Sequence, residues 1–284
     1  MIQQFKPMKL KFMEEIPKDT DNTVFQMKID GMNGIVDVEL PRVTIYHARD
    51  DVWHNRTYQY PDLIKEIRNG SLADHKTYIG ELTVFDEQGV GRRNLIGHRL
   101  CENPFQIQRV AKLYPVRFFP HHITRDKEET LFHLTYGQIL EMLKKDVRPM
   151  ANELVMHVMR MPTFSKPDEL LKLKDLNPDG IVGKNLNGVY LRGKTSDAFW
   201  KKKFLKELVV KFISYDEKDV GINLFTDENI EVHFADPNRI PIAIANIEEK
   251  GMVMAEITYL ERTQRGMLRD ARVKRLLTEK KEEL

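Results

Sequence analysis

Val24-Phe25-Gln26-Met27-Lys28-Ile29-Asp30-Gly31-Met32-Asn33-Gly34 runs from an apolar, strand-like lead-in to a lysine and then into an Asp-Gly turn. A strand of this kind carries Lys28 to the edge of a buried pocket, and Gly31 and Gly34 let the backbone turn closely around a nucleotide-sized ligand. Lys28 is therefore the candidate nucleophile. The pattern Lys-x-Asp-Gly is short, so the segments that accompany it decide its weight.

Those segments follow in order along the chain. Tyr78-Ile79-Gly80-Glu81-Leu82-Thr83-Val84-Phe85 alternates as a strand and sets a carboxylate beside a glycine. Pro178-Asp179-Gly180-Ile181-Val182-Gly183-Lys184 puts a second acid five residues before a lysine. Tyr190, Gly193, Lys194, Ser196 and Trp200 lead to Lys201 and Lys203, spaced to project from one face of a strand. A phosphoryl centre needs a nucleophile, cations to absorb developing charge and carboxylates to hold a divalent metal. Lys28, Lys201, Lys203, Glu81 and Asp179 supply those parts. Taken singly, Glu81 or Asp179 is more often a solvated turn or edge residue; their order gives them meaning.

With 284 residues the chain can form two domains with real cores, and its single cysteine, Cys101, excludes an internal disulfide and a Cys-rich zinc site. No secretory segment follows Met1 and no apolar run approaches a membrane span, so a cytoplasmic setting, or the interior of a host cell for a viral chain, is expected. The net charge of +2 does not itself indicate nucleic acid. Basic residues gather at 201–211 and 262–281, as a phosphate-tracking surface or as a solvated face broken by Glu207, Glu279 and Glu282. His121 and His122 form the densest histidine pair, but neighbours on a strand point to opposite faces and no third ligand stands at metal spacing. Zinc is not expected.

The pattern changes near 204–207. Before it, strand-like segments at 24–39, 43–47, 78–85 and 116–119 mix with helical ones at 60–69 and 137–145. After it, short strands at 208–215, 221–225, 230–235 and 252–260 follow one another with turn residues between, as in a small barrel.

The ordered set resembles the nucleotidyltransferase core of ATP-dependent DNA ligases and, less closely, of RNA ligases and mRNA capping guanylyltransferases, from about Pro7 and Met8 onward. Thr258 to Arg269 is similar to the last segments of the ligase barrel and favours DNA ligase. The resemblance implies an α+β fold: a nucleotidyltransferase domain over 1–205, with ATP-grasp-like antiparallel sheets and flanking helices, then an OB-fold β-barrel over 206–284. It also implies ATP, Mg²⁺ (or Mn²⁺), nicked double-stranded DNA, a monomer without membrane contact, and work in DNA repair, replication or recombination. In the family a lysine attacks the α-phosphate of ATP, AMP passes to a 5′-phosphate at a nick, and the 3′-hydroxyl displaces it. The alternatives are an RNA ligase, a GTP-dependent capping enzyme, and a nick-binding protein whose site has decayed.

Residue by residue, the resemblance makes Lys28 the adenylated residue, acting with Asp30, Lys201 and Lys203, and makes Gln26 the reader of the adenine amino group. Asn33 stands where many ligases have arginine, giving the ribose or phosphate end an amide in place of a guanidinium. Glu81 corresponds to the ribose-contacting glutamate, and Phe119 to the aromatic that stacks on adenine, with Phe118 as its alternative. Asp179 corresponds to a metal-site glutamate, one methylene shorter, and shares the metal role with Glu81. Lys184, Lys201 and Lys203 correspond to phosphate-holding lysines. Arg49, whose alternative is a surface ion pair with Asp50 or Asp51, corresponds to an arginine that meets both nucleotide and nick phosphate; Lys211, Arg265 and Arg269 are further DNA contacts. The family's terminal Arg-x-Asp-Lys is poorly matched by Leu277-Thr278-Glu279-Lys280, with Arg272 or Arg275 left to take the arginine's part.

Overall fold

The computed structural model describes residues 5–49, 52–150, 156–172, 179–263 and 266–277, with Arg49 described by its backbone alone. The chain divides into two units, 1–202 and 203–284. The first contains strands β1 (Lys9–Phe12), β2 (Thr23–Met27), β3 (Met32–Glu39), β4 (Arg42–Arg49), β5 (Val52–Asn55), β6 (Lys76–Phe85), β7 (Gly91–Arg92), β8 (Val116–Asp126), β9 (Glu129–Thr130), β10 (Thr163–Phe164), β11 (Gly180–Asn185) and β12 (Thr195–Lys203). Its helices are α1 (Pro61–Glu66), α2 (Arg93–Ile96), α3 (Pro104–Leu113), α4 (Tyr136–Asp146) and α5 (Pro167–Leu171).

One sheet runs β5-β4-β3-β6-β8-β9 with β7 added to β6; the other runs β1-β12-β11-β2-β10. The strand expected over 24–39 is therefore broken, because β2 belongs to one sheet and β3 to the other. Residues 28–31 are the crossing. It is tight: a Cβ on Gly31 would lie 2.2 Å from the Leu82 carbonyl oxygen, so no other residue fits without moving backbone. Side chains of β3 alternate between two buried layers, Val36 and Val38 packing with Ile45, Tyr60 and Leu63, and Ile35 with Trp53, Ile79 and Tyr190. A sheet buried on both faces can hold a cavity against its neighbour.

α4 starts where the sequence places it, because Thr135 and Gln138 form a capping box: the Thr135 N–H donates to Gln138 Oε1 (2.9 Å) and the Gln138 N–H to Thr135 Oγ1 (3.4 Å). α3 was not expected; Asn103 caps it, accepting from the Phe105 N–H at 2.9 Å, and Pro104 occupies its first turn. β8 runs past its expected end at 119 and carries a bulge. Gly80 faces Pro120 and Ile79 faces His122, leaving His121 as the extra residue.

The second unit contains β13 (Lys206–Phe212), β14 (Ser214–Glu217), β15 (Ile222–Phe225), β16 (Glu231–Phe234), α6 (Ile240–Lys250), β17 (Val253–Tyr259), β18 (Glu261–Arg262), β19 (Leu268–Arg269) and β20 (Arg272–Leu277). Antiparallel sheets β13-β17-β20 and β14-β15-β16 enclose one core, with Phe212, Leu224, Ala255 and Ile257 fully buried. The strand expected over 208–215 is divided between β13 and β14, which belong to different sheets, while those expected at 221–225, 230–235 and 252–260 are present as β15, β16 and β17. The helix between β16 and β17 was not foreseen; it buries Ala243 and Ile247 and ends at Gly251 in the left-handed conformation (φ 72°), whose N–H donates to Ile247 O at 2.9 Å.

Candidate active site

Lys28 leaves the end of β2 at the crossing between sheets, its N–H donating to Gly180 O at 3.0 Å. That bond ties the lysine to the start of β11, where Asp179 accepts a hydrogen bond and ion pair from the Lys28 ammonium. The Lys28 side chain is 21% exposed, so its amine is held but reachable. Asp30 acts on the backbone around it. Its carboxylate accepts from the Arg93 N–H at 3.1 Å and its carbonyl from Thr83 Oγ1 at 2.7 Å, pinning the turn to β6 and α2.

Between the two sheets lies a cavity of ≈ 180 Å³ lined by Gln26, Lys28, Asn33, Glu81, Lys184 and Lys201 among others. Gln26 is buried, and its amide nitrogen donates to Tyr136 Oη (2.8 Å) and Thr163 Oγ1 (3.3 Å). Both donor bonds turn the nitrogen away and leave the amide oxygen as the end for a ligand. Lys184 is buried beside it, its ammonium 3.5 Å from Tyr136 Oη, 3.4 Å from the His121 carbonyl and 4.6 Å from the Tyr136 ring centre. Burial pushes its pKa down to about 7. Burial pushes the Glu81 carboxyl up to about 8, against the pull of Lys28. The Asn33 Oδ1 is buried without a hydrogen-bond partner.

His121 and His122 both line this cavity, contrary to the expectation that neighbours on a strand face opposite ways. The bulge at His121 is the reason, since the extra residue re-aims its side chain. Sequence reasoning also missed Tyr136 and Thr163, whose hydroxyls accept from Gln26, and gave no role to Tyr190, whose hydroxyl accepts from the Met8 N–H (2.9 Å). Only the Thr135 cap marks this region of the sequence, and a cap says nothing of what the next residue touches.

Other expected residues stand elsewhere. Phe119 is buried against Phe85, ring centres 6.1 Å apart, and Phe118 is fully buried in the sheet core; the cavity takes its β8 lining from the histidines. Lys203 pairs with Asp270 at 2.6 Å. Lys211 lies 3.9 Å from Asp227, Arg269 2.9 Å from Glu261, and Arg275 2.5 Å from Glu256. Arg265, Lys280 and the Arg49 side chain lie outside the described residues. Among the described residues no three His, Cys, Asp or Glu side chains converge on a metal position, and no helix is long and apolar enough to cross a membrane.

A lysine at the edge of a cavity between one antiparallel and one mixed sheet, followed by a small β-unit, is the α+β arrangement of a nucleotidyltransferase domain with an OB-fold. Residues 6–203 match the family model of the ATP-dependent DNA ligase domain, and the chain belongs to that family of ATP-using enzymes. Solved structures share the fold. A Lig E DNA ligase is 13% identical over 98% of this chain and 100% of its own, with a TM-score of 0.69. A mycobacterial DNA ligase D complexed with ATP is 16% identical over 97% of this chain and 96% of its own, with a TM-score of 0.55. The ligase domain of the Mycobacterium tuberculosis enzyme is 16% identical over 96% and 95%, also at 0.55. By sequence the chain matches no curated protein.

Proposed function

We propose that the chain seals nicks in double-stranded DNA through a lysyl-AMP intermediate on Lys28. The observation that carries this reading is the Lys28 amine, held by Asp179 at the edge of a cavity whose buried wall offers the Gln26 amide oxygen. The Lys28 ammonium first gives a proton to the Asp179 carboxylate it already contacts; the free amine attacks the α-phosphorus of ATP, a P–N bond forms, the P–O bond to pyrophosphate breaks, and the second amine proton leaves to solvent with the pyrophosphate. Lys201 lines the same cavity and stabilises the phosphate charge; the paired Lys203 serves the same end when released from Asp270. AMP then passes to the 5′-phosphate of the nick, and the 3′-hydroxyl attacks that phosphate and expels AMP.

Gln26 accepts from the adenine amino group, Glu81 meets the ribose, and Asn33 Oδ1, buried and unpaired, accepts from a sugar hydroxyl. Lys184 sits with Gln26 on Tyr136, which favours a place at the base over one at the phosphates. Among the described residues no three-ligand cluster stands, so Asp179 and Glu81, the latter ionised by the cation itself, would hold a Mg²⁺ ion together with the substrate phosphates. Such an ion supplies neutralisation of phosphate charge. Arg49, Lys211, Arg265 and Arg269 are the proposed contacts to DNA phosphates, and the working unit is one chain, acting in the cytoplasm or inside a host cell.

Intact mass after incubation with Mg²⁺ and each nucleoside triphosphate in turn tests this. An AMP adduct on the wild type with ATP, absent from Lys28→Ala, is expected, with sealing of a nicked DNA duplex in preference to its RNA counterpart. A GMP adduct moves the chain to the capping class. No adduct on protein whose starting mass is unmodified overturns the reading.

A further inference from the structure

His121 and His122 have no part in the steps above, yet their side chains line the proposed nucleotide cavity. His122 is 2% exposed; its ring lies 4.7 Å from Tyr190 and stacks parallel to Tyr136 at 6.5 Å and 8°. His121 Nδ1 and His122 Nε2 are both buried with no hydrogen-bond partner. Buried polar atoms are nearly always paired in native proteins, so two orphans on side chains that line one cavity call for a partner, and the cavity is where a ligand can bring one. A metal is a poor candidate, since no third ligand converges among the described residues. Lys184 contacts the His121 carbonyl and, like Gln26, the Tyr136 hydroxyl, so the histidines belong to the buried end of the cavity rather than the partly exposed Lys28 end. Phosphates that must reach Lys28 and a DNA nick leave the buried end to the base.

We propose that His121 and His122 are specificity-determining residues for the nucleoside triphosphate, their ring nitrogens hydrogen-bonding the ring nitrogens of a purine. This rests on the nucleotidyl-transfer reading of Lys28. A purine carries acceptor nitrogens around its perimeter, and a neutral imidazole offers one N–H and one lone pair. Burial keeps both rings neutral at physiological pH, His122 down to about 3 and His121 well below the ordinary range. The bulge that brings both rings into one cavity is a device proteins use beside sites to re-aim a side chain.

The test is self-adenylation of the full chain, read as mass adduct per unit time, with ATP and with 1-deaza-, 3-deaza- and 7-deaza-ATP, each of which replaces one ring nitrogen by C–H. Wild type is expected to lose about tenfold or more in kcat/KM with at least one analogue. His121→Phe or His122→Phe should show a similar loss with ATP and no added loss with that analogue. His121→Asn and His122→Asn, which keep an N–H and serve if a Phe variant fails to fold, should recover part of the activity with ATP. Equal analogue penalties in wild type and every variant, or none in wild type, overturn the proposal while leaving Lys28 chemistry intact. No adduct on wild type with ATP overturns both.

Discussion

Glu81 and Lys184 share one cavity and are shifted toward each other, the acid up to about 8 and the lysine down to about 7, both chiefly by burial. Folded Glu81 holds its proton more tightly than the unfolded carboxyl near 4.5, so its contribution to stability is full below that value and is lost as pH rises through about 8. Lys184 runs the other way, its contribution full above 10.5 and lost as pH falls through about 7. His47 and His122, held down to about 4 and about 3, also favour higher pH through the acid range, so the measurement must be a difference between variants. Denaturant unfolding at a series of pH values should show the gap between wild type and Glu81→Gln changing by up to ~1.4 kcal/mol per pH unit between 5 and 8, with wild type losing ground as pH rises. The gap to Lys184→Met should change with the opposite sign, between 7 and 10. A gap constant across these windows contradicts the burial of the two charges. The sequence named Lys28, Gln26, Glu81, Asp179 and Lys184 because residue type and order are visible there. Tyr136, His121 and His122 were not assigned to the site, because strand register and helix docking brought them in.

At the scale of elements, the crossing at 28–31 depends on the absence of a side chain at Gly31. Gly31→Ala drives a methyl toward the Leu82 carbonyl at 2.2 Å and Glu81 Cγ at 2.9 Å, and the first of these is backbone within a paired strand. The expected cost is about 1–3 kcal/mol, read as a lower denaturant midpoint, with loss of adenylation on Lys28 because the turn must move. An alanine variant of wild-type stability would show the approach to be looser than described. Strands such as β15 and β16 were legible because alternating burial repeats every two residues. The break between β2 and β3 was not, since a chain that changes sheets keeps its apolar character on both sides. α6 was passed over for a different reason: Ile240–Ala245 is as apolar as a strand, and only Pro241 near its start and Gly251 after its end mark it as a helix.

For the whole molecule, two separate hydrophobic cores imply unfolding that is not one cooperative event. Phe212→Ala removes a fully buried ring from the second core at about 3–5 kcal/mol. Scanning calorimetry should resolve two components and show one of them lowered by the substitution while the other stays in place. A single transition that shifts as a whole would mean that the units melt together. The order of motifs along the chain was sufficient for the family, because each motif lies on a strand or turn that the sheets bring together. The placement of Phe119 was not readable, since Phe118 and Phe119 are equally apolar and the β8 bulge lies just beyond them.

That bulge also has a genetic meaning. One strand of the pair carries a residue more than its partner at His121 and again at Thr124, so removal of a single codon at His121 would close one of two interruptions in the ladder rather than destroy the sheet. A relative one residue shorter between Pro120 and Ile123 would keep the same architecture with one imidazole fewer. Positions on either side of the bulge would then correspond only when counted separately, from Glu81 forward and from Tyr136 back.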